Sequence, residues 1–194
     1  MVEQRDIDII LNNPIDWELF RNKTVLVTGA TGRLGMYIVE AINKADIDWN
    51  LNVTILALAR NEKKMQDVFG ESLKLPNIHP IVQDITEPIR WDGPVHYIFH
   101  TAGAASPQDF TNWPVDTLWG HIQGTRNVLE LAREKKAEKI LYVSTVEVYG
   151  EWKSEQGIKE DDMGPMHCDN ARACYPEAKR MCETMLASYE AQYD

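Results

Sequence analysis

The sequence predicts an α/β protein, a doubly wound parallel sheet with helices on both faces. Three observations carry this. Short apolar runs alternate with stretches of helical spacing from about Thr24 onward. The first run, Thr24–Val27, is β-branched and uninterrupted, as a strand buried on both faces is. That run ends directly in a glycine-punctuated turn, TGATGRLG (Thr28 to Gly35), and a helical pattern follows it.

Residues 1–22 read as an N-terminal arm. Its apolar residues, among them Ile7, Ile10, Trp17 and Phe20, can pack on a domain spanning 23–194, with Asn12-Asn13-Pro14 as a turn; docking of a partner is the other reading. After the strand at Thr24–Val27, Leu34, Ile38, Val39 and Ile42 space a helix over Leu34–Asn43. Further strands are expected at Val53–Ala59, His79–Gln83, Val95–His100 and Lys139–Ser144. A charged helix is expected around Glu62–Phe69, and a long one over Asp116–Lys135 with Leu118, Ile122, Val128, Leu129 and Ala132 on its apolar face. Gln156–Asn170 reads as loop, and a last helix begins near Pro176. No repeat, low-complexity segment or interdomain linker interrupts this order.

A chain of 194 residues makes one domain with an ample core. Its 30 acidic residues against 20 basic ones leave a net charge of −10, which argues against nucleic acid or an anionic membrane as partner. A local basic pocket for a phosphorylated ligand remains compatible. The acid-interrupted N-terminus is not a secretory signal, and no run of 18 apolar residues predicts a membrane span. Cys168, Cys174 and Cys182 are odd in number and match no zinc spacing, so they read as free thiols in a reducing cytoplasm, with no metal site.

Gly29, Gly32 and Gly35 are spaced G-x-x-G-x-x-G between strand and helix. That spacing suits a tight turn, close approach of backbone to a pyrophosphate, and close packing of helix on strand. Free N–H groups and a partial positive charge at the helix start then meet the phosphates. The acid that usually ends the second strand and holds the adenosine ribose is absent, and Arg60 stands there instead. Arg60 suits a 2′-phosphate, and it equally suits an exposed loop position. NAD and NADP both stay open.

Downstream, Tyr175 and Lys179 lie four residues apart at a helix start and so share one face, with Pro176 suited to the first helical position. An ammonium beside a phenol favours phenolate, which a general base needs.

These motifs resemble the extended branch of the short-chain dehydrogenase/reductase superfamily, the NAD-dependent epimerase/dehydratase family, with its Rossmann-type domain and TGxxGxxG fingerprint. The resemblance implies cofactor contacts at Gly29, Thr31, Gly32, Arg33, Leu34 and Gly35. It also implies them at Arg60, at Asp84 and Ile85 (the Asp–aliphatic pair against adenine), at Thr101, Ala102 and Gly103 under the nicotinamide ribose, and at Tyr175 and Lys179. The cofactor would be NAD, with NADP admitted by Arg60. The segment Ser144 to Gly150 resembles S-S/T-x-x-V-Y-G, which puts Thr145 in the place of the catalytic hydroxyl, with Ser144 as the other register.

Glu147, within T-x-E-V-Y-G, is similar to the glutamate of nucleotide-sugar 4,6-dehydratases and UDP-glucuronate decarboxylases, near C5 of the sugar. Dehydratases usually carry Asp just before it; here the residue is Val146. Ala105-Ser106-Pro107 and Arg172 to Arg180 resemble the decarboxylases, while His121 stands where the family generally has Asn. Thr145, Glu147, Tyr175 and Lys179 are therefore the implied catalytic set. Decarboxylation is favoured over dehydration or epimerisation of a nucleotide sugar. The resemblance also implies a C-terminal substrate domain, missing after Asp194, and pairing of the two long helices in a homodimer. A catalytically incomplete dinucleotide-binding module, or one subunit of a split enzyme, is the competing reading.

Overall fold

A computed structural model describes residues 2–151 and 157–193. Gln156, the first residue of the expected loop, lies outside the described residues, as do Met1 and Asp194. Strands β1 (Thr24–Thr28), β2 (Thr54–Ala59), β3 (Ile78–Val82), β4 (Tyr97–His100) and β5 (Lys139–Tyr142) form a single sheet in the order β3-β2-β1-β4-β5. Every pairing is parallel, so each connection must cross over, and most crossovers carry a helix. The helices are α1 (Gln4–Leu11), α2 (Arg33–Trp49), α3 (Glu62–Phe69), α4 (Pro107–Asn112), α5 (Pro114–Lys135) and α6 (Cys174–Tyr193).

Successive side chains of a strand point to opposite faces, and here both faces are covered. Val25, Val27, Ile55 and Ala57 enter a core with Val39, Ile42 and Ala45 of α2 and Met65 and Phe69 of α3. Leu26, Leu56, Leu58 and Ile98 enter a second core with Val128, Leu131 and Ala132 of α5. This is why the first strand reads as uninterrupted apolar sequence. All five residues of β1 are buried.

The structure corrects several boundaries. The second helix runs past the expected end at Asn43 to Trp49, because Ala45 continues its buried stripe and Asn50 closes it in the left-handed conformation. Beyond Asn43 the polar residues are used: Asp46 accepts from the Val53 N–H at 3.0 Å and from Asn77 Nδ2 at 2.8 Å. The fifth strand stops at Tyr142 rather than Ser144, since the chain leaves the sheet after Val143 N–H bonds His100 O at 3.1 Å. The fourth begins at Tyr97 rather than Val95, and the third spans Ile78–Val82 rather than His79–Gln83. The long helix begins at Pro114, two residues before Asp116.

Helices α1 and α4 were not expected. In α1, Ile7 is buried and Asp6 accepts the Tyr37 hydroxyl of α2 at 2.7 Å. The rest of residues 1–22 packs through Trp17, stacked on Trp49 at 6.0 Å, and Phe20, edge-on to Tyr97 at 5.6 Å. Pro176 is the third residue of α6 rather than its first. It still lies in the first turn, where its missing N–H has no intrahelical acceptor to lose.

Candidate active site

The strand order reverses on either side of β1, and in open parallel sheets such a switch point places the ligand crevice outside the C-terminal strand ends, here those of β1 and β4. Two glycines make the turn there. Gly29 has φ +65°, and a Cβ on it would sit 2.8 Å from the Ala102 backbone; a Cβ on Gly35 would sit 2.3 Å from Gly29 O. No side chain fits between turn, helix and neighbouring loop. Gly32 caps α2 without a side-chain bond, so the first N–H groups of α2, around Arg33 and Leu34, are left for an anion. Thr31 lies within the same turn. These residues fit a dinucleotide pyrophosphate.

The loop after β4 is tied to β1. Thr101 Oγ1 donates to Thr28 O at 2.7 Å, and Ala102 N–H donates to Thr28 Oγ1 at 3.2 Å. A buried polar chain continues inward. Thr28 Oγ1 lies 2.7 Å from His100 Nδ1, His100 Nε2 lies 3.1 Å from Thr125 Oγ1, and that hydroxyl lies 3.1 Å from Cys182 Sγ on α6. Burial pushes His100 down to about 3, so its ring is neutral and serves as a hydrogen-bonding strut between sheet, α5 and α6.

At the other end of the crevice, Arg60 follows β2 directly and is exposed. Asp84, two residues beyond β3, accepts from Thr86 N at 2.9 Å and Thr86 Oγ1 at 2.7 Å. Those bonds, the backbone one foremost, hold its carboxyl below the usual range, with Arg60 adding a smaller pull. Ile85 packs against α5, where a Cβ on Gly124 would meet it at 2.9 Å, and its carbonyl accepts from Asn127 Nδ2 at 2.8 Å.

The Tyr175–Lys179 pair is buried at the start of α6, with exposures of 8% and 6%. Lys179 Nζ donates to Val143 O at 2.7 Å, lies 4.5 Å over the Tyr142 ring, and lies 5.9 Å from the Tyr175 ring centre. Burial lowers Lys179 to about 8. The Tyr175 ring stacks on Phe110 of α4 at 4.2 Å and meets His121 of α5 edge-on at 5.4 Å.

Beyond β5, Thr145 Oγ1 accepts from Glu147 N at 3.3 Å and caps a short 3-10 turn over Val146–Tyr149. Glu147 pairs with Arg172, whose Nη2 lies 3.0 Å from the carboxylate. Arg172 in turn lies 4.7 Å over the Phe110 ring. Ser144 Oγ donates to Glu183 of α6, whereas Thr145 Oγ1 accepts from the Glu147 N–H.

The structure thus gathers Thr145, Glu147, Tyr175 and Lys179 around β5 and the start of α6. The glycine turn and the Thr101–Gly103 loop share the ends of β1 and β4. Phe110 and the Arg172–Glu147 pairing escaped the sequence reading, because both contacts join residues far apart in the chain. The signal for Phe110 was present: Ser106-Pro107 with Asp109 is a helix-start signature, and Ser106 Oγ does accept from Asp109 N at 3.2 Å.

Residues 25–194 match the NAD dependent epimerase/dehydratase family. The chain belongs to that family. Among curated relatives, UDP-glucuronic acid decarboxylase 6 of Arabidopsis thaliana is 31% identical over 172 residues, covering 89% of this chain and 48% of the relative. UDP-glucuronic acid decarboxylase 1 of Danio rerio is 32% identical over 172 residues, covering 88% and 38%. The chain therefore spans about half or less of the length of these relatives. Among solved structures, an epimerase of Methanothermobacter thermautotrophicus superposes with a TM-score of 0.74 at 22% identity, covering 91% of this chain and 50% of that one. A dTDP-glucose 4,6-dehydratase of Bacillus anthracis, solved with NAD, gives 0.65 at 18% identity, covering 88% and 51%. At these identities the superpositions show the fold.

Proposed function

We propose that this family member modifies a nucleotide sugar through transient oxidation at C4, with decarboxylation of a C6 carboxylate the favoured outcome. The observation that carries the reading is the burial of Tyr175 and Lys179 beside the Thr145 hydroxyl turn and the Glu147–Arg172 pair. The glycine turn, the free start of α2 and the Thr101–Gly103 loop would hold a nicotinamide dinucleotide, which when bound supplies a reversible hydride acceptor. Asp84 and Ile85 would meet its adenosine end. Arg60, exposed and without the acid that reads a free ribose, supports NADP alongside NAD.

Tyr175 would take the C4 hydroxyl proton as the alcohol becomes a ketone, and return it when the ketone is reduced again. Thr145 would hold the reacting oxygen beside Tyr175. Lys179, held by the Val143 carbonyl, would keep a cationic side chain beside the Tyr175 ring. A C6 carboxylate is then β to the ketone and leaves as carbon dioxide, with its electron pair passing to C5 and a proton replacing it there. Glu147, oriented by Arg172, would stand near C5. Val146, in the place of the acid that helps expel a C6 hydroxyl, favours decarboxylation over dehydration.

A second reading, a dinucleotide-binding module or one subunit of a split enzyme, rests on the glycine turn and the Thr101–Gly103 loop, which would hold the cofactor without a sugar site. Exposed Val115 and Trp119 of α5 and Met181 of α6 support a homodimer through the long helices. Free thiols at Cys168, Cys174 and Cys182 suit a reducing cytoplasm. Incubation with NAD and UDP-glucuronate or dTDP-glucose, with products read by mass spectrometry, tests the reaction. Loss of carbon dioxide from UDP-glucuronate is the expected result. Dinucleotide binding with neither sugar changed would establish the module reading instead. Tyr175→Phe is expected to abolish turnover and leave dinucleotide binding within about twofold, because phenylalanine keeps the ring contact with the cofactor and loses only the phenol oxygen that takes the proton.

A further inference from the structure

The Tyr175 ring has a neighbour that the proposed reaction does not use. His121, on the inner face of α5, is 2% exposed and stands edge-on to Tyr175. Its Nε2 lies 2.9 Å from Ala104 O, and a carbonyl can only accept, so Nε2 carries the hydrogen. Burial brings His121 down to about 4, and the ring is neutral with a bare lone pair on Nδ1. That nitrogen is buried without a partner among the described residues. An orphaned buried acceptor costs stability, so a histidine here is a poor choice for the fold alone.

The other side of the same ring meets the loop after β4. A Cβ on Gly103 would lie 2.1 Å from His121 Cε1 and 2.6 Å from Nδ1, and Gly103 has φ +152°. The imidazole therefore wedges between the Thr101–Ala104 loop and the Tyr175 ring, touching one through Gly103 and Ala104 and the other edge-on. His121 also presents its backbone carbonyl to Cys182 Sγ at 3.4 Å, which ties the same residue to α6.

We propose that His121 is a positioning residue that locks the Thr101–Ala104 loop in its ligand-ready shape and sets the Tyr175 ring against it. It acts through the loop and the tyrosine and exchanges no proton. The inference deepens the dinucleotide reading and rests on it.

The test is a fluorescence titration of the full chain with NADH, comparing wild type, His121→Leu and His121→Gln, each with its thermal midpoint. Leu fills the space and loses the Ala104 bond; Gln keeps an amide donor on a side chain long enough to approach that carbonyl. The expected result is an affinity about tenfold weaker in His121→Leu, measured well below its midpoint, and largely recovered in His121→Gln, as loss and return of one buried hydrogen bond give. A fallen midpoint with unchanged affinity would make His121 structural only and overturn the proposal. Should His121→Leu not fold, histidine ring NMR of wild type decides: the Nε2–H tautomer is expected, with its signals moving on saturation with NADH. Unmoved signals would overturn the proposal. If wild type binds no dinucleotide at all, it is the cofactor reading that has failed, a result distinct from the other two.

Discussion

Lys179 is held at a cost to the fold. Its ammonium is buried against Val143 O and two tyrosine rings, and burial takes it from 10.5 to about 8. Below pH 8 the lysine is charged in both folded and unfolded chains, and the penalty of roughly 3 kcal/mol is fully present. Between about pH 8 and 10.5 the folded chain sheds the proton first, so stability should rise with pH over that window. Lys179→Met removes the penalty but leaves the Val143 carbonyl without its donor. The expected net gain at pH 7 is about 1–2 kcal/mol by urea denaturation, with the alkaline rise reduced. A less stable variant that keeps the rise would show that the lysine is well solvated.

Gly103 and His121 give a second test at this scale. Gly103→Ala should be strongly destabilising, because its Cβ would meet the imidazole at 2.1 Å and its φ is +152°. His121→Ala in the same chain should recover part of that loss, a coupling of about 1 kcal/mol or more in a double-mutant cycle. Strict additivity would separate the two residues. The partnership between Tyr175 and Lys179 was legible because both lie on one helix turn. Phe110 under the tyrosine and Arg172 on Glu147 were not, since their contacts exist only once α4, α5 and α6 have packed together.

At the scale of elements, the strand and helix pattern was readable wherever one residue class ran without interruption. β1 shows this: Val25 and Val27 feed one core and Leu26 the other, so no polar position marks an outside. Leu26→Ala is expected to cost about 3 kcal/mol, read as a shift in denaturation midpoint at constant slope. The end of α2 was hidden because Lys44, Asp46 and Asp48 look like a break, whereas Lys44 and Asp48 pair four residues apart on its surface and Asp46 binds Val53 and Asn77. Helix α1 was hidden for a related reason, its amphipathic face being short and its buried contribution chiefly Ile7. Gly35→Ala belongs to this scale as well, since its Cβ would press α2 off the Gly29 turn at 2.3 Å. The expected cost is about 1–3 kcal/mol, with weaker dinucleotide binding.

At the scale of the molecule, five parallel strands in the order β3-β2-β1-β4-β5 bring to one crevice residues as distant as Gly29 and Lys179. Strand order cannot be read from a local pattern; the glycine turn marks the end of β1, and the reversal of strand order around β1 puts that turn at the switch point of the sheet. Family membership extends over residues 25–194, and the matched relatives are about twice as long or more.

We propose that the ends of β1 and β4 take a nicotinamide dinucleotide beside Tyr175. Titration of the purified 194-residue chain with NADH and NADPH, followed by nucleotide fluorescence and calorimetry, tests it most directly. One site per chain is expected, weakened in Gly35→Ala and kept in Tyr175→Phe. A folded wild-type protein that binds neither dinucleotide would contradict the account.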